Sequence, residues 1–314
     1  MTAVGPCGRP PPVVQYPLPT DRRSRMMNIA MSLNVANDRM PAADLIPRLA
    51  TAGFEALDFN FSDQWNRLPD RSERAVGAWL DALAQAAQAA NLPWAQAHGP
   101  FFNLFDKTPQ NQAQQDFCPA AIAACGRLGV PWMVLHPGTL DGPWDRAHRR
   151  AVLQGNADFF RSLLPHCERA GVGLAVENIH ADKPACPRRF GSMPEDLLDL
   201  MDALAHPLVG LCWDTGHARI MKLDQRRAVA SLGSHLKAIH VQDNDGNGDD
   251  HLLPLACGKA GVNWSDVVAG LREAGYGGAF AYEVHSAFQA VPDELLDDAL
   301  RHGVRIARTL LGRT

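Results

Sequence analysis

No stretch of this sequence approaches the roughly 18 uninterrupted apolar residues that a membrane-spanning helix needs. Its seven cysteines are odd in number and include no CxxC pair, which speaks against a disulfide framework or a zinc knuckle. Basic charge is not in excess: 30 Lys and Arg face 34 Asp and Glu, a formal net charge of -4. Bulk electrostatic attraction to nucleic acid or an anionic membrane is therefore absent. What is present is ordinary for a globular chain of 314 residues, with 46% hydrophobic and 20% charged residues. That is enough to bury a full core in one large domain or two small ones. Together these features read as a soluble, cytoplasmic protein.

The first 25 residues stand apart. They carry Pro6, Pro10, Pro11, Pro12, Pro17 and Pro19, and no continuous apolar core of a secretory signal. A disordered or extended tail is expected over 1–25, with the folded unit over 26–314. Met26 and Met27 precede the first strand-like run, so the biological start is expected to lie there.

From Met27 onward, short apolar runs alternate with longer amphipathic segments. The runs are Asn28–Leu33, Ala56–Phe61, Pro93–His98, Trp132–His136, Gly173–Asn178, Val209–Asp214, Leu236–Gln242 and Ala279–Val284. Helix-like stretches fill the gaps: Asp44–Ala52, Arg74–Ala90, Gln112–Leu128, Arg146–Ala170, Pro194–Ala205, Arg226–Leu232, Ser265–Ala274 and Pro292–Leu311. Gly53, Gly129, Gly171 and Gly275 sit where helices should stop, and Ser265 and Asp293 where the last two should start. Runs apolar on both faces with a helix in each gap imply parallel strands covered by helices. Eight such units fit an α/β fold of the (β/α)8 barrel type, forming a single domain. A doubly wound sheet is the rival, disfavoured because the loop after the first run, Asn34–Asn37, is no Gly-rich phosphate turn.

Polar residues gather at the C-terminal ends of these runs. His98, His136, Glu177, Asp214 and Glu283 close or nearly close five of them. His217 follows Asp214 by three residues, His240 lies in the seventh run, and Asp249 and His251 follow it. In a barrel the strand C-termini converge on one face, so all nine would ring one mouth. Each has a plainer reading by itself: a hydrogen-bonded structural histidine, a carboxylate paired with arginine, or, for Asp214 before Thr215 and Gly216, a helix cap. Collectively they would be costly to bury without a metal or tight pairing. Carboxylates mixed with imidazoles suit borderline divalent ions. His180 and His285 each follow a candidate ligand closely and could line the same mouth. His148, His166, His206 and His302 fall in or beside helical stretches and read as surface residues. Phe101, Phe102, Trp65 and Trp144 are placed to stack on a sugar face or simply to pack, whereas Trp213 should point away from Asp214.

The strings HGPFFN, LHPG, VENIH, WDTGH, IHVQDNDGNGDDH and YEV, in this order, make residues 27 to 312 resemble the xylose isomerase-like barrel superfamily. That group holds sugar and sugar-phosphate isomerases and epimerases, inosose dehydratases and apurinic endonucleases of the endonuclease IV type. For the isomerase and epimerase branches the resemblance implies one divalent ion (Mn, Co, Zn or Mg, with Mn favoured) held by Glu177, Asp214, His240 and Glu283. It implies proton transfer by Glu177 and Glu283 through a metal-stabilised enediolate. His98, His136, His217, Asp249, His251, Phe102 and Lys259 are the expected substrate-binding residues. Lys259 stands where an acidic residue is common, which admits an anionic substrate group such as phosphate or carboxylate. A lyase or dehydratase using the same metal is the nearer alternative. The endonuclease branch is further off: it uses nine ligands around three zinc ions, for which this chain has candidates. Against it, the loop after the fourth run, Gly138–Pro143, carries no basic residue, and the loop after the seventh is acidic, with Asp243, Asp245, Asp249 and Asp250 and one lysine further on, Lys259. The expected partner is a small sugar, with no nucleic acid and no membrane, and the superfamily's habit admits a homo-oligomer.

Overall fold

The computed structural model describes residues 26–181 and 188–313. The tail expected over 1–25 lies outside the described residues. Eight parallel strands close into a barrel in chain order: β1 (Asn28–Ser32), β2 (Ala56–Asn60), β3 (Trp94–His98), β4 (Trp132–Leu135), β5 (Gly173–Glu177), β6 (Val209–Asp214), β7 (Leu236–Val241) and β8 (Ala279–Tyr282). The β1–β8 pairing, in register from Asn28↔Ala279 to Met31↔Tyr282, completes the closure. The helices are α1 (Ala42–Ala52), α2 (Phe61–Asn66), α3 (Glu73–Ala90), α4 (Pro109–Leu128), α5 (Arg146–Ala170), α6 (Pro194–Leu204), α7 (Thr215–Ile220), α8 (Gln225–Leu232), α9 (Trp264–Glu273), α10 (His285–Gln289) and α11 (Leu296–Leu311). Among the described residues, no helix is long and apolar enough to cross a membrane.

The eight apolar runs are the eight strands, and the long amphipathic stretches are α1, α3–α6, α8, α9 and α11. Gly53, Gly129 and Gly171 take the left-handed conformation that ends α1, α4 and α5. Two expected starts shift. Ser265 lies inside the first turn of α9, its hydroxyl donating to Asn263 Oδ1 (2.8 Å). Asp293 opens a short 3-10 turn, and α11 begins only at Leu296.

Strand alternation sorts the interior. Outward residues such as Ile29, Leu57, Phe59, Val176, Trp213 and Tyr282 join one continuous core under the helices. Trp213 points away from Asp214 as expected, its indole N–H donating to Gln225 Oε1 (3.2 Å). Inward positions low in the barrel are small: Ala30, Ala56, Ala279 and Ala281 form one cluster, and Val134, Ala175, Cys212 and Ala238 another. Further along the same strands the inward side chains turn polar, at Asp58, Gln96, His98, Glu177, Asp214 and His240, all buried. The small lower layer closes the barrel floor and leaves the room above it to ionisable groups.

Opposite the mouth, Arg313 fastens the C-terminus to the start of the barrel. Its guanidinium pairs with both oxygens of Glu55 and donates to Met27 O (3.1 Å), while Glu55 Oε2 accepts the Ile29 N–H (3.0 Å). Hydrogen bonding to Arg313 holds the Glu55 carboxyl below its ordinary value of 4.5. A depressed folded-state pKa stabilises the fold above pH 4.5, and that contribution fades as pH falls toward the lowered value. Glu55→Gln should therefore cost about 1 kcal/mol at pH 7, a modest figure because the pair is partly exposed. The difference from the native chain should vanish in acid. Denaturant melts at pH 7 and pH 3 check both halves.

Candidate metal centre

At the barrel mouth, Glu177, Asp214, His240 and Glu283 each bring one donor atom into a group whose members all lie within 4.8 Å of one another. The backbone explains the convergence: the first three are inward residues on β5, β6 and β7, and Glu283 follows β8 directly. His240 Nδ1 lies 3.0 Å from Glu177 Oε1 and 3.3 Å from Glu283 Oε2. Asp214 is pinned by Asn178, whose amide accepts the Asp214 N–H (2.6 Å) and donates to its carbonyl (3.0 Å). The carboxylate Oδ1 of Asp214 also accepts the His217 N–H (2.5 Å) and so caps α7. The helix-cap reading of Asp214 and its place in the donor group are both realised in one side chain.

His98 and His136 meet Glu177 from the other side, their Nε2 atoms 3.4 and 3.3 Å from Glu177 Oε2. His217 and His251 flank Asp249 Oδ2, at 3.3 and 3.1 Å from their Nε2 atoms. Three of these rings share a device. Nδ1 of His98, His217 and His251 lies 3.0, 2.8 and 2.9 Å from the backbone carbonyls of Gly99, Asn178 and Glu283. A carbonyl only accepts, so each Nδ1 carries a hydrogen and each Nε2 is presented to a carboxylate. His251 holds this pose with φ +50°, a left-handed backbone that costs a histidine on the order of 1 kcal/mol.

The electrostatics are those of a crowded, largely buried site. Burial opposes the charge on Glu177, yet the imidazoles of His240 and His136 outweigh it and hold the carboxyl well below the ordinary range. Burial pushes Asp214 up to about 6. Against burial, Asp249 and Glu283 raise His251 to about 9, and Asp214 and Asp249 raise His217 well above its usual value. Burial, joined by the nearby His98 and His217 imidazoles, lowers His136 against the pull of Glu177. Protons on imidazoles are one source of the positive charge these carboxylates need, and a divalent cation is the other. Glu177 Oε2 is buried with no hydrogen-bond donor of its own among the described residues, and the mixed nitrogen and oxygen set suits a borderline divalent ion. The buried cluster fits a metal.

Of the other expected residues, His180 and His285 both stand at the mouth, their rings 5.0 Å from His217 and 4.3 Å from His251. Phe102 does not face the donors: its ring packs edge-on against Phe159 of α5, and Phe101 is the ring stacked on His98, 4.2 Å away. Lys259 is exposed on the 3-10 turn Gly258–Ala260 and makes no ion pair with the cluster among the described residues. The acidity after β7 is partly turned inward. Asp243 is buried and accepts the Val262 N–H (2.8 Å), leaving Asp245 and Asp250 exposed. Sequence reasoning passed over Gln242, which donates to both oxygens of Asp214 (3.3 Å each) and to Asp249 Oδ1 (2.5 Å), and accepts the His251 N–H (3.2 Å). Its signal was a polar residue two positions after His240, on the same side of an extended chain.

Residues 46–307 match the family described as the xylose isomerase-like TIM barrel. The chain belongs to that family. A protein of unassigned function from Methanocaldococcus jannaschii is 24% identical over 209 residues, 65% of this chain and 69% of that one. Among solved structures, a D-tagatose 3-epimerase-like protein superposes with a TM-score of 0.69 at 20% identity, covering 90% of this chain and 99% of the other. A D-psicose 3-epimerase from Clostridium cellulolyticum H10, crystallised with D-tagatose, gives 0.69 at 15% identity, with 91% and 99% covered. At these identities the likeness to the epimerase structures is one of fold.

The Gln242 amide leaves no room beside it. A Cβ on Gly216 would lie 2.3 Å from its Oε1 and 2.6 Å from its Nε2. Gly216→Ala should displace the amide from Asp214 and Asp249, costing about 1–3 kcal/mol of stability by overpacking. Divalent-ion affinity should fall with it, as read by denaturant melts and metal titration.

Proposed function

We propose that this chain is a divalent-metal-dependent isomerase or epimerase acting on a keto-sugar, sugar phosphate or related polyol, with Mn the favoured ion. The observation that carries this reading is the approach of two buried carboxylates, Glu177 from β5 and Glu283 after β8, to the same His240 Nδ1 beside Asp214. When bound at Glu177, Asp214, His240 and Glu283, the ion would supply Lewis-acid polarisation of a substrate carbonyl and its neighbouring hydroxyl.

The remaining work belongs to the side chains. One carboxylate removes the proton from the carbon beside the carbonyl and the other returns a proton. Delivered to the opposite face of the same carbon, that proton completes an epimerisation; delivered to the neighbouring carbon, with a hydroxyl proton moved in compensation, it completes an isomerisation. His217 and His251, with Nδ1 tied to backbone, turn Nε2 toward Asp249 and the space where substrate hydroxyls would sit. Phe101, 40% exposed and stacked on His98, offers an apolar face at the rim. A dehydratase would begin with the same proton abstraction and then expel a β-leaving group.

A second reading has its own observation: His98 and His136 converge on Glu177 Oε2, and His217 and His251 on Asp249, which would suit a multinuclear phosphodiesterase. One experiment separates the two. Ketopentoses and ketohexoses are incubated with manganese-loaded protein in deuterated water, and recovered sugar is analysed by NMR and mass spectrometry. Deuterium beside the carbonyl, with Glu177→Gln and Glu283→Gln each slowing exchange by about 10²–10⁴-fold, supports proton-transfer chemistry. No exchange with any ketose, together with cleavage of an abasic oligonucleotide, would overturn it.

A further inference from the structure

His98, His217 and His251 are each held by a backbone carbonyl at Nδ1, but His240 is reversed. Its Nδ1 faces Glu177 and Glu283, so its Nε2 points down into the barrel, away from the mouth. No carbonyl meets it there, and Nε2 has no hydrogen-bond partner among the described residues. The group opposite is Asp58 on β2, whose Oδ2 lies 3.9 Å from His240 Nε2. Asp58 is 1% exposed, and its Oδ1 likewise lacks a partner. Two fully buried polar groups, one a donor when protonated and the other an acceptor, are left facing each other at ion-pair distance. Burial of either without the other is costly.

Asp58 is itself held. Gln96 Nε2 donates to Asp58 Oδ2 (3.2 Å) and to Ile239 O (3.2 Å), while Gln96 Oε1 accepts the Ile239 N–H (3.3 Å). Both ends of the amide are tied to the backbone next to His240, so its orientation cannot invert and its N–H₂ must face Asp58. The chain Ile239–Gln96–Asp58–His240 therefore starts and ends on β7.

We infer that Asp58 is a positioning residue for His240: it accepts a hydrogen from Nε2, fixing the ring angle that aims Nδ1 at Glu177 and Glu283 and leaves Nδ1 as the atom a metal would take. This rests on the metal-centre reading. A histidine ligand whose far nitrogen is anchored by a carboxylate is better oriented and more basic, and losing such a partner typically costs ten- to a hundredfold in metal affinity. Cys212 is the rival neighbour, since its thiol shares a potential ligand group with Glu177 and His240.

The test uses chelator-stripped protein, with Mn²⁺ or Co²⁺ as probe in competition with a metal indicator. Selective ¹⁵N-histidine NMR of the metal-free protein supplies a readout that needs no ion. Asp58→Ala should lower affinity by about 10–100-fold. Asp58→Asn, which keeps an oxygen beside Gln96, should fall between it and the native protein, with a metal-free melting midpoint no lower than native. In the metal-free native protein the His240 resonances should report a hydrogen on Nε2 in addition to the one Nδ1 shares with Glu177, and the Nε2 hydrogen should be lost or exchange faster in Asp58→Ala. The inference is overturned if Asp58→Ala binds like the native chain, if Cys212→Ala reproduces its loss, or if native His240 carries no hydrogen on Nε2. A native chain that binds neither ion would sink the metal reading, while the NMR would still decide whether Asp58 sets His240.

Discussion

Glu177 is wholly buried at the end of β5, within 3.4 Å of ring nitrogens from His98 on β3, His136 just after β4 and His240 on β7. An ionised carboxylate removed from water must be met by positive charge or by donors, or it reclaims a proton. That requirement organises the mouth. It accounts for imidazoles arriving from strands on both sides, for backbone carbonyls that fix three rings, and for Gln242 spanning Asp214 and Asp249. A divalent ion among Glu177, Asp214, His240 and Glu283 would satisfy the same requirement with a single charge centre.

The barrel makes such a concentration of charge possible. Eight strands supply inward positions at a common height, and the small residues beneath, Ala30, Ala56, Ala175, Ala238, Ala279 and Ala281, leave the polar layer room to pack. The folding energy is drawn from the continuous apolar core between strands and helices, which the mouth residues do not enter. Chemistry and stability are thus carried by opposite faces of the same strands.

Most of the barrel was legible in the linear pattern, because fully buried parallel strands need apolar residues on both faces and the long helices carry an amphipathic period. The short helices α2, α7 and α10 were not, since six residues or fewer give no period to read. Their start signals were local: Asn60 three residues before Asp63, and Asp214 three before His217, each a side-chain cap. The polar residues at or just after strand ends, and His217, Asp249 and His251 in the segments that follow β6 and β7, were legible by position. Which ring nitrogen each histidine presents was not, because for His217 and His251 that depends on carbonyls 39 and 32 residues away, and for His98 on the local turn that brings the Gly99 carbonyl to its ring. Asp58, Gln96 and Gln242 were missed for a related reason: each acts by touching another side chain, and no strand-end rule marks it. Phe101 and Phe102 show the limit of counting, as adjacent aromatics turn to opposite sides and the path of the loop decides which ring stands over His98.

The central claim is that these carboxylates and imidazoles form a site for one divalent ion. Metal content per chain, by elemental analysis of protein purified without chelator and located by anomalous scattering, tests it most directly. The account predicts one Mn, Co or Zn among Glu177, Asp214, His240 and Glu283. No ion there, or two or three ions that also engage His98, His136 and the His217–Asp249–His251 group, would contradict it and turn attention to hydrolytic chemistry.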